Sequence, residues 1–127
     1  MTRPAGSTEN GARDGNTSKF SPCRKAGGFV FVSGQASVEN GAIVPGTFEE
    51  EMRRSIENVR RILEGEGLTL ADVVKVGAYV EDPADVPEFN RLYLEYFHPP
   101  LPARTTIANC LGGTVKFEID VVAFGGG

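Results

Sequence analysis

Arg104 and Glu118 are the side chains in this sequence best placed to do chemistry. The segment Pro102-Ala103-Arg104-Thr105-Thr106 puts an arginine at the entry of one apparent strand. The segment Phe117-Glu118-Ile119-Asp120-Val121-Val122-Ala123 puts a glutamate inside the next. Strand ends are rigid, so both groups can be held in place. A guanidinium fork grips a carboxylate through two parallel hydrogen bonds. A sheltered glutamate can position or activate a water. The pair points to a small site where water attacks a carboxylate-bearing molecule.

The elements that must position this pair follow from the spacing of apolar residues. Residues 1–19 are rich in Gly, Thr, Ser, Asn and charge, and read as a disordered tail ahead of a single domain over 20–127. Phe20 to Cys23 reads as a short strand, Lys25 to Gly28 as a turn, and Phe29 to Ser33 as a strand ended by Gly34. Asn40-Gly41 is a hairpin signal, with Ile43-Val44 pairing back. Thr47 is an N-cap, and Glu49, Glu50 and Glu51 suit the positive end of a helix. Phe48, Met52, Ile56, Val59, Ile62 and Leu63 form its apolar stripe, and Gly65 and Gly67 stop it. Val73 to Val80 reads as a strand. A second helix starts near Asp85, with Val86, Phe89, Leu92, Tyr93, Tyr96 and Phe97 on its apolar side. Pro99, Pro100 and Pro102 bar its continuation. Thr105–Asn109 and Val115–Phe124 are the last strands.

This order predicts an α+β fold, a mixed six-stranded sheet with two helices packed on one face. The strand at Phe29 is apolar on both sides, because Val30 and Val32 alternate with Phe29 and Phe31. Both sheet faces must then be covered. Two helices cover one, so self-association is expected to cover the other.

Composition narrows the function classes. The chain has 127 residues, 40% of them hydrophobic, with net charge −4 and a pI near 5.0. That balance opposes nonspecific nucleic-acid binding, which needs a basic footprint; a local basic patch around Arg53, Arg54, Arg60 and Arg61 remains compatible with it. No apolar run approaches the roughly 20 residues that span a bilayer. Residues 1–19 lack the apolar core of a signal peptide, so a cytoplasmic address is expected. Cys23 and Cys110 form no CxxC pair, which argues against a zinc knuckle. The single histidine, His98, precedes Pro99-Pro100 in a loop and makes a poor partner for a nucleophilic cysteine. No metal or cofactor is expected.

Several strings, taken in order, resemble one family. Phe29-Val30-Phe31-Val32-Ser33-Gly34-Gln35, Asp72-Val73-Val74-Lys75-Val76, Phe89-Asn90-Arg91-Leu92-Tyr93, Pro102-Ala103-Arg104-Thr105 and Phe117-Glu118-Ile119-Asp120 are similar to blocks of the RidA family. That family is also called YjgF/YER057c/UK114 and, historically, L-PSP endoribonuclease. The likeness runs from about Phe20 to Ala123. It implies a chorismate-mutase-like fold, a homotrimer with sites in clefts between protomers, and an enamine/imine deaminase. Such enzymes hydrolyse 2-imino acids, of the 2-iminopropionate and 2-iminobutyrate type, to 2-keto acids and ammonia. It further implies that Arg104 binds the substrate carboxylate and that Glu118 handles water and protons. Phe20, Ser33, Gly34, Asn90 and Thr106 would line the pocket.

The chain departs from the family pattern at three places. Phe20 stands where deaminating members carry a tyrosine, which keeps the ring and loses the hydroxyl. Thr106 stands where many members carry cysteine. Asn109-Cys110-Leu111-Gly112-Gly113 replaces a Leu-Pro turn. Two other classes therefore stand beside the deaminase. One is a trimer that captures a 2-keto acid or similar carboxylate without turnover, as a sensor or pathway accessory. The other is an RNA-cleaving or RNA-binding protein, opposed by the acidic pI, the single histidine and the lack of an aromatic–basic platform.

Overall fold

A computed structural model describes residues 19–126. The expected tail lies, apart from Lys19, outside the described residues. The elements are β1 (Cys23–Ala26), β2 (Phe29–Gln35), β3 (Val38–Glu39), β4 (Ala42–Ile43), α1 (Phe48–Gly65), β5 (Val73–Val80), α2 (Val86–Tyr96), β6 (Ala103–Ala108) and β7 (Phe117–Phe124). Single 3₁₀ turns at Leu70–Asp72 and Pro83–Asp85 lead into β5 and α2. The expected first strand is shifted toward the C-terminus. Ala26 pairs with Phe29, so the two-residue turn falls on Gly27 and Gly28, both at positive φ. Such turns match the twist of the strands they join.

The sheet is mixed, in the order β1-β2-β7-β5-β6, with only β5 and β6 parallel. It has five strands among the described residues rather than six. The Asn-Gly hairpin forms, with Asn40 and Gly41 at positive φ, but as a separate two-stranded ribbon of β3 and β4. It is tied to α1 instead of the sheet edge. Asn58 of α1 donates to the carbonyls of Ala36 and Val38 at 3.1 and 3.0 Å, and Arg54 pairs with Glu39 at 3.2 Å. Gly34 lies inside β2 rather than ending it, within the register shift between Val32 and Gln35 against β7.

Both helices pack on one face. Phe48 of α1 and Phe89 of α2 each meet Phe117 of β7, with ring centroids 5.8 and 5.6 Å away. The core lies between this face and the helices. It holds Met52, Ile56, Val59 and Leu63 of α1, Phe89, Leu92 and Tyr93 of α2, and Val76, Val80, Ile119 and Val121 of the sheet. The expected α1 stripe is present except that Ile62 is only partly buried. Thr47 caps α1 in a capping box with Glu50.

Glu51 has a role its sequence position does not suggest. It sits in the first turn of α1, yet it is only 2% exposed. Its carboxylate accepts from the backbone N–H groups of Gly46 and Lys116, at 3.1 and 2.9 Å, and pairs with Lys116 Nζ at 3.4 Å. One side chain thus joins the start of α1 to the start of β7. A buried carboxylate satisfied this way leaves several groups unpaired when it is removed. We expect Glu51→Ala to cost about 2–4 kcal/mol of unfolding free energy. Urea denaturation checks this, as a lower midpoint at unchanged slope. A loss no larger than that of Glu64→Ala on the exposed side of α1 would refute the assignment.

Candidate functional site

Arg104 occupies the helix-side face of β6. It pairs in register with Val76, a fully buried residue of that face. Its Nη2 donates to Asn90 Oδ1 of α2 at 2.9 Å. Its Cζ lies 4.8 Å from the Phe89 ring centroid and 4.7 Å from that of Tyr93. Both contacts are within cation–π range, and one hydrogen bond uses one of five N–H donors. The guanidinium makes no ion pair among the described residues. It is therefore oriented by its neighbours, with donors left over for a ligand. Asn90, expected at the pocket, is the residue that accepts this bond.

Thr106 lies two residues along the same face, in register with buried Ala78. Its hydroxyl is buried and has no hydrogen-bond partner among the described residues. The hydroxyl of Tyr93 is in the same condition. From sequence, Tyr93 belongs to the apolar stripe of α2, and neither it nor Phe89 is among the expected site residues. The signal was available: Phe89-Asn90 and Tyr93 are one turn apart, so all three share the helix face that meets Arg104.

Glu118 lies on the other face of the sheet. Along β7, Phe117, Ile119, Val121 and Ala123 are buried toward the helices, and Glu118, Asp120, Val122 and Phe124 alternate away. Glu118 pairs in register with Tyr79, and its carboxylate lies over Gly34, where any Cβ would collide with Oε2. That close approach explains the glycine. An ion pair between Glu118 and Lys116 does not form, because Lys116 is committed to Glu51. Ser33 belongs to this side too. Its hydroxyl donates to the Ser21 carbonyl at 2.6 Å and its N–H to the Pro22 carbonyl at 2.9 Å. These bonds bring the segment after Phe20 beside Ser33, while Phe20 itself is 71% exposed.

The site residues thus form two groups. Arg104, Asn90 and Thr106 lie on the helix side. Glu118, Gly34 and Ser33 lie on the open side, with β5 between the strands of Arg104 and Glu118. A single chain does not bring Arg104 and Glu118 together. The open face also carries Phe29, Phe31 and Phe124, which are 38%, 45% and 42% exposed. Phe29 contacts Phe124 and Phe31 at centroid distances of 4.8 and 6.3 Å. This is the uncovered apolar surface expected from the two-sided pattern of β2.

The open face holds a coupled acid set. Tyr79 donates to Asp120 Oδ2 at 2.7 Å, and that bond, aided by burial, pushes its hydroxyl pKa up to about 12. Burial first, and the charge of Asp120 second, raise the pKa of Glu118. A carboxyl raised in the folded state contributes stability that is fully present below its unfolded pKa. That contribution is lost as pH rises through the folded pKa. Glu118→Gln should therefore raise the melting temperature at pH 7, with the gain shrinking as pH falls through the carboxyl range. A variant less stable than wild type at pH 7 would show that the charged form is favoured there instead. Gly34→Ala should change stability little, since the flexible end of Glu118 can swing away, but it moves the carboxylate. The displacement is checked by the titration of Glu118, followed by NMR.

Comparison with known proteins identifies the family of the chain. The family model described as Endoribonuclease L-PSP matches residues 13–124. The mitochondrial protein mmf2 of Schizosaccharomyces pombe is 41% identical over 105 residues, covering 78% of this chain and 82% of that protein. A protein of Dermatophagoides farinae named 2-iminobutanoate/2-iminopropanoate deaminase is 31% identical over 90 residues, covering 69% of this chain and 70% of its own length. The crystal structure of E. coli TdcF with bound serine superposes with a TM-score of 0.76 at 29% identity, covering 87% of this chain and 91% of that one. With the motif order, the mixed sheet and the two one-sided helices in agreement with these matches, the chain belongs to the RidA/YjgF family, whose model carries the L-PSP description.

Proposed function

We propose that the protein is a cofactor-free deaminase that hydrolyses 2-imino acids of the 2-iminopropionate and 2-iminobutyrate type to 2-keto acids and ammonia. The observation that carries this reading is the seat of Arg104: a guanidinium fixed by Asn90 and two aromatic rings, with unused donors and no carboxylate of its own. A carboxylate bound there in a fork fixes the adjacent imine carbon in space, which is catalysis by positioning. Water adds to the C=N carbon as its proton passes to a base and the nitrogen is protonated. The tetrahedral carbinolamine then collapses to C=O as ammonia leaves. Glu118, with its raised proton affinity, suits both transfers. The deaminase name of the mite relative and the amino acid bound by TdcF support the same substrate class.

Because Arg104 and Glu118 face opposite ways in one chain, the reading requires two copies. The aromatic face of Phe29, Phe31 and Phe124 is the surface on which copies associate, and a homotrimer with sites at its subunit boundaries is the proposed assembly. Thr106, Ser33, Gly34 and Phe20 line the pocket, and the cytoplasm is the proposed address. Among the described residues no helix is long and apolar enough to cross a membrane.

A non-catalytic carboxylate binder is the second reading, favoured by Phe20, which offers no hydroxyl. RNA cleavage is less well supported. Arg53, Arg54 and Arg60, the core of the basic patch, are neutralised by Glu49, Glu95, Glu39, Glu57 and Glu64.

The test is ammonia release from 2-iminopropionate made in situ by an amino-acid oxidase, with semicarbazide as the competing trap. Wild type should outpace spontaneous hydrolysis, and Arg104→Ala should lose roughly 100-fold or more. A folded wild type no faster than the spontaneous reaction would refute the deaminase. Co-expression of Arg104→Ala with Glu118→Gln tests the shared site. Each variant alone should be inactive, while mixed assemblies should recover about a quarter of wild-type activity, the fraction of sites with both native groups. No recovery would place both groups in one subunit's site.

A further inference from the structure

Two buried hydroxyls lie near Arg104, one on Tyr93 and one on Thr106 of the proposed pocket. Tyr93 is 4% exposed, and its oxygen is shielded from solvent with no partner among the described residues. Thr106 Oγ1 is in the same state. Among the described residues the other buried side-chain polar groups are satisfied. Ser37 donates to the Val44 carbonyl, Ser55 to the Glu51 carbonyl, and Glu51 accepts from Gly46 and Lys116. Leaving a buried hydroxyl unpaired is costly, and native proteins keep few such groups. The two exceptions flank one residue. Arg104 lies 4.7 Å over the Tyr93 ring and two residues from Thr106 on the same face.

We infer that the hydroxyls of Tyr93 and Thr106 are binding groups that complete a carboxylate receptor with Arg104. This inference rests only on the carboxylate-binding part of the reading above. A carboxylate accepts at about four lone-pair positions, and a guanidinium fork fills two of them. Two hydroxyl donors on the same side of the sheet suit the other two. Burial raises the pKa of Tyr93 despite the opposing charge of Arg104, so the hydroxyl keeps its proton and remains a donor. Tyr93 then acts twice: its ring supports the guanidinium, and its hydroxyl meets the ligand. The ligand is a small 2-substituted carboxylate whose anionic end is held by three side chains rather than one.

The experiment separates this from imine hydrolysis by using a ligand that does not react. Isothermal titration with 2-oxobutanoate is compared for wild type, Tyr93→Phe, Thr106→Val, Thr106→Ser and Arg104→Ala, each checked by thermal melting without ligand. Tyr93→Phe keeps the ring under Arg104 and removes one oxygen. The ligand-free variant should melt no lower than wild type, because an unpaired buried hydroxyl is gone. Its affinity for 2-oxobutanoate should fall about tenfold, the worth of one charge-assisted hydrogen bond. Thr106→Val should fall similarly and Thr106→Ser should keep wild-type affinity. Wild-type affinity in both Tyr93→Phe and Thr106→Val would overturn the inference, and so would a wild type that binds no 2-oxobutanoate. If Tyr93→Phe fails to fold, the valine–serine comparison at Thr106 decides. Weakened binding in a protein that hydrolyses no imine would leave the receptor standing and remove the deaminase. Normal hydrolysis with an unchanged KM in Tyr93→Phe would do the reverse.

Discussion

β7 lies in the middle of the sheet, between β2 and β5, and its period-two alternation governs much of the molecule. Successive strand residues point to opposite faces. Phe117, Ile119, Val121 and Ala123 therefore enter the core, where Phe117 is the common contact of both helices. The same alternation sends Glu118, Asp120, Val122 and Phe124 to a face that no helix of the described residues covers. A slip of one residue would exchange the two sets, placing two carboxylates in the core and four apolar side chains in water. The register against β2 and β5 is correspondingly well determined, and it fixes both where the core lies and where Glu118 points.

The split of the site follows from that register. β6 pairs with β5 in parallel, so Arg104 inherits the helix-side orientation of Val76. There it finds Asn90, Phe89 and Tyr93 on one turn of α2. Glu118 inherits the open orientation of Tyr79. The chain therefore holds its two candidate groups on opposite sides of one sheet. The uncovered aromatic surface beside Glu118 gives a physical reason for a second copy to approach from that side.

Polar groups in the structure divide by how well they are paired. Glu51 is nearly inaccessible and accepts from two backbone amides and an ammonium, which is how a buried carboxylate becomes part of a scaffold. Glu118 is pushed toward its neutral form by burial and by Asp120, and the Tyr93 and Thr106 hydroxyls lack partners among the described residues. The unsatisfied groups gather at the residues that chemistry singles out, and the satisfied ones hold the elements in place. Perturbed or unpaired groups of this kind concentrate at functional sites because binding supplies what folding left out.

Local patterns along the chain were enough to mark most elements and their sidedness. Apolar residues at helical spacing marked the buried faces of α1 and α2, Thr47 marked the helix start, and Asn40-Gly41 marked the hairpin. The alternation of Val30 and Val32 with Phe29 and Phe31 showed that β2 is apolar on both faces. These features are local, with periods of two and 3.6 residues that can be read without knowing what lies opposite. Tertiary structure decided the rest. It folded the hairpin onto α1 through Asn58 and Arg54, leaving five strands in the sheet among the described residues. It buried Glu51, a residue that reads as an ordinary helix-start glutamate, by bringing Lys116 to it from 65 residues away. It placed Gly34 under the Glu118 carboxylate, and Arg104 and Glu118 on opposite faces. Each of these depends on pairing between distant segments, and a residue's own neighbours in sequence carry no record of which strand will lie beside it.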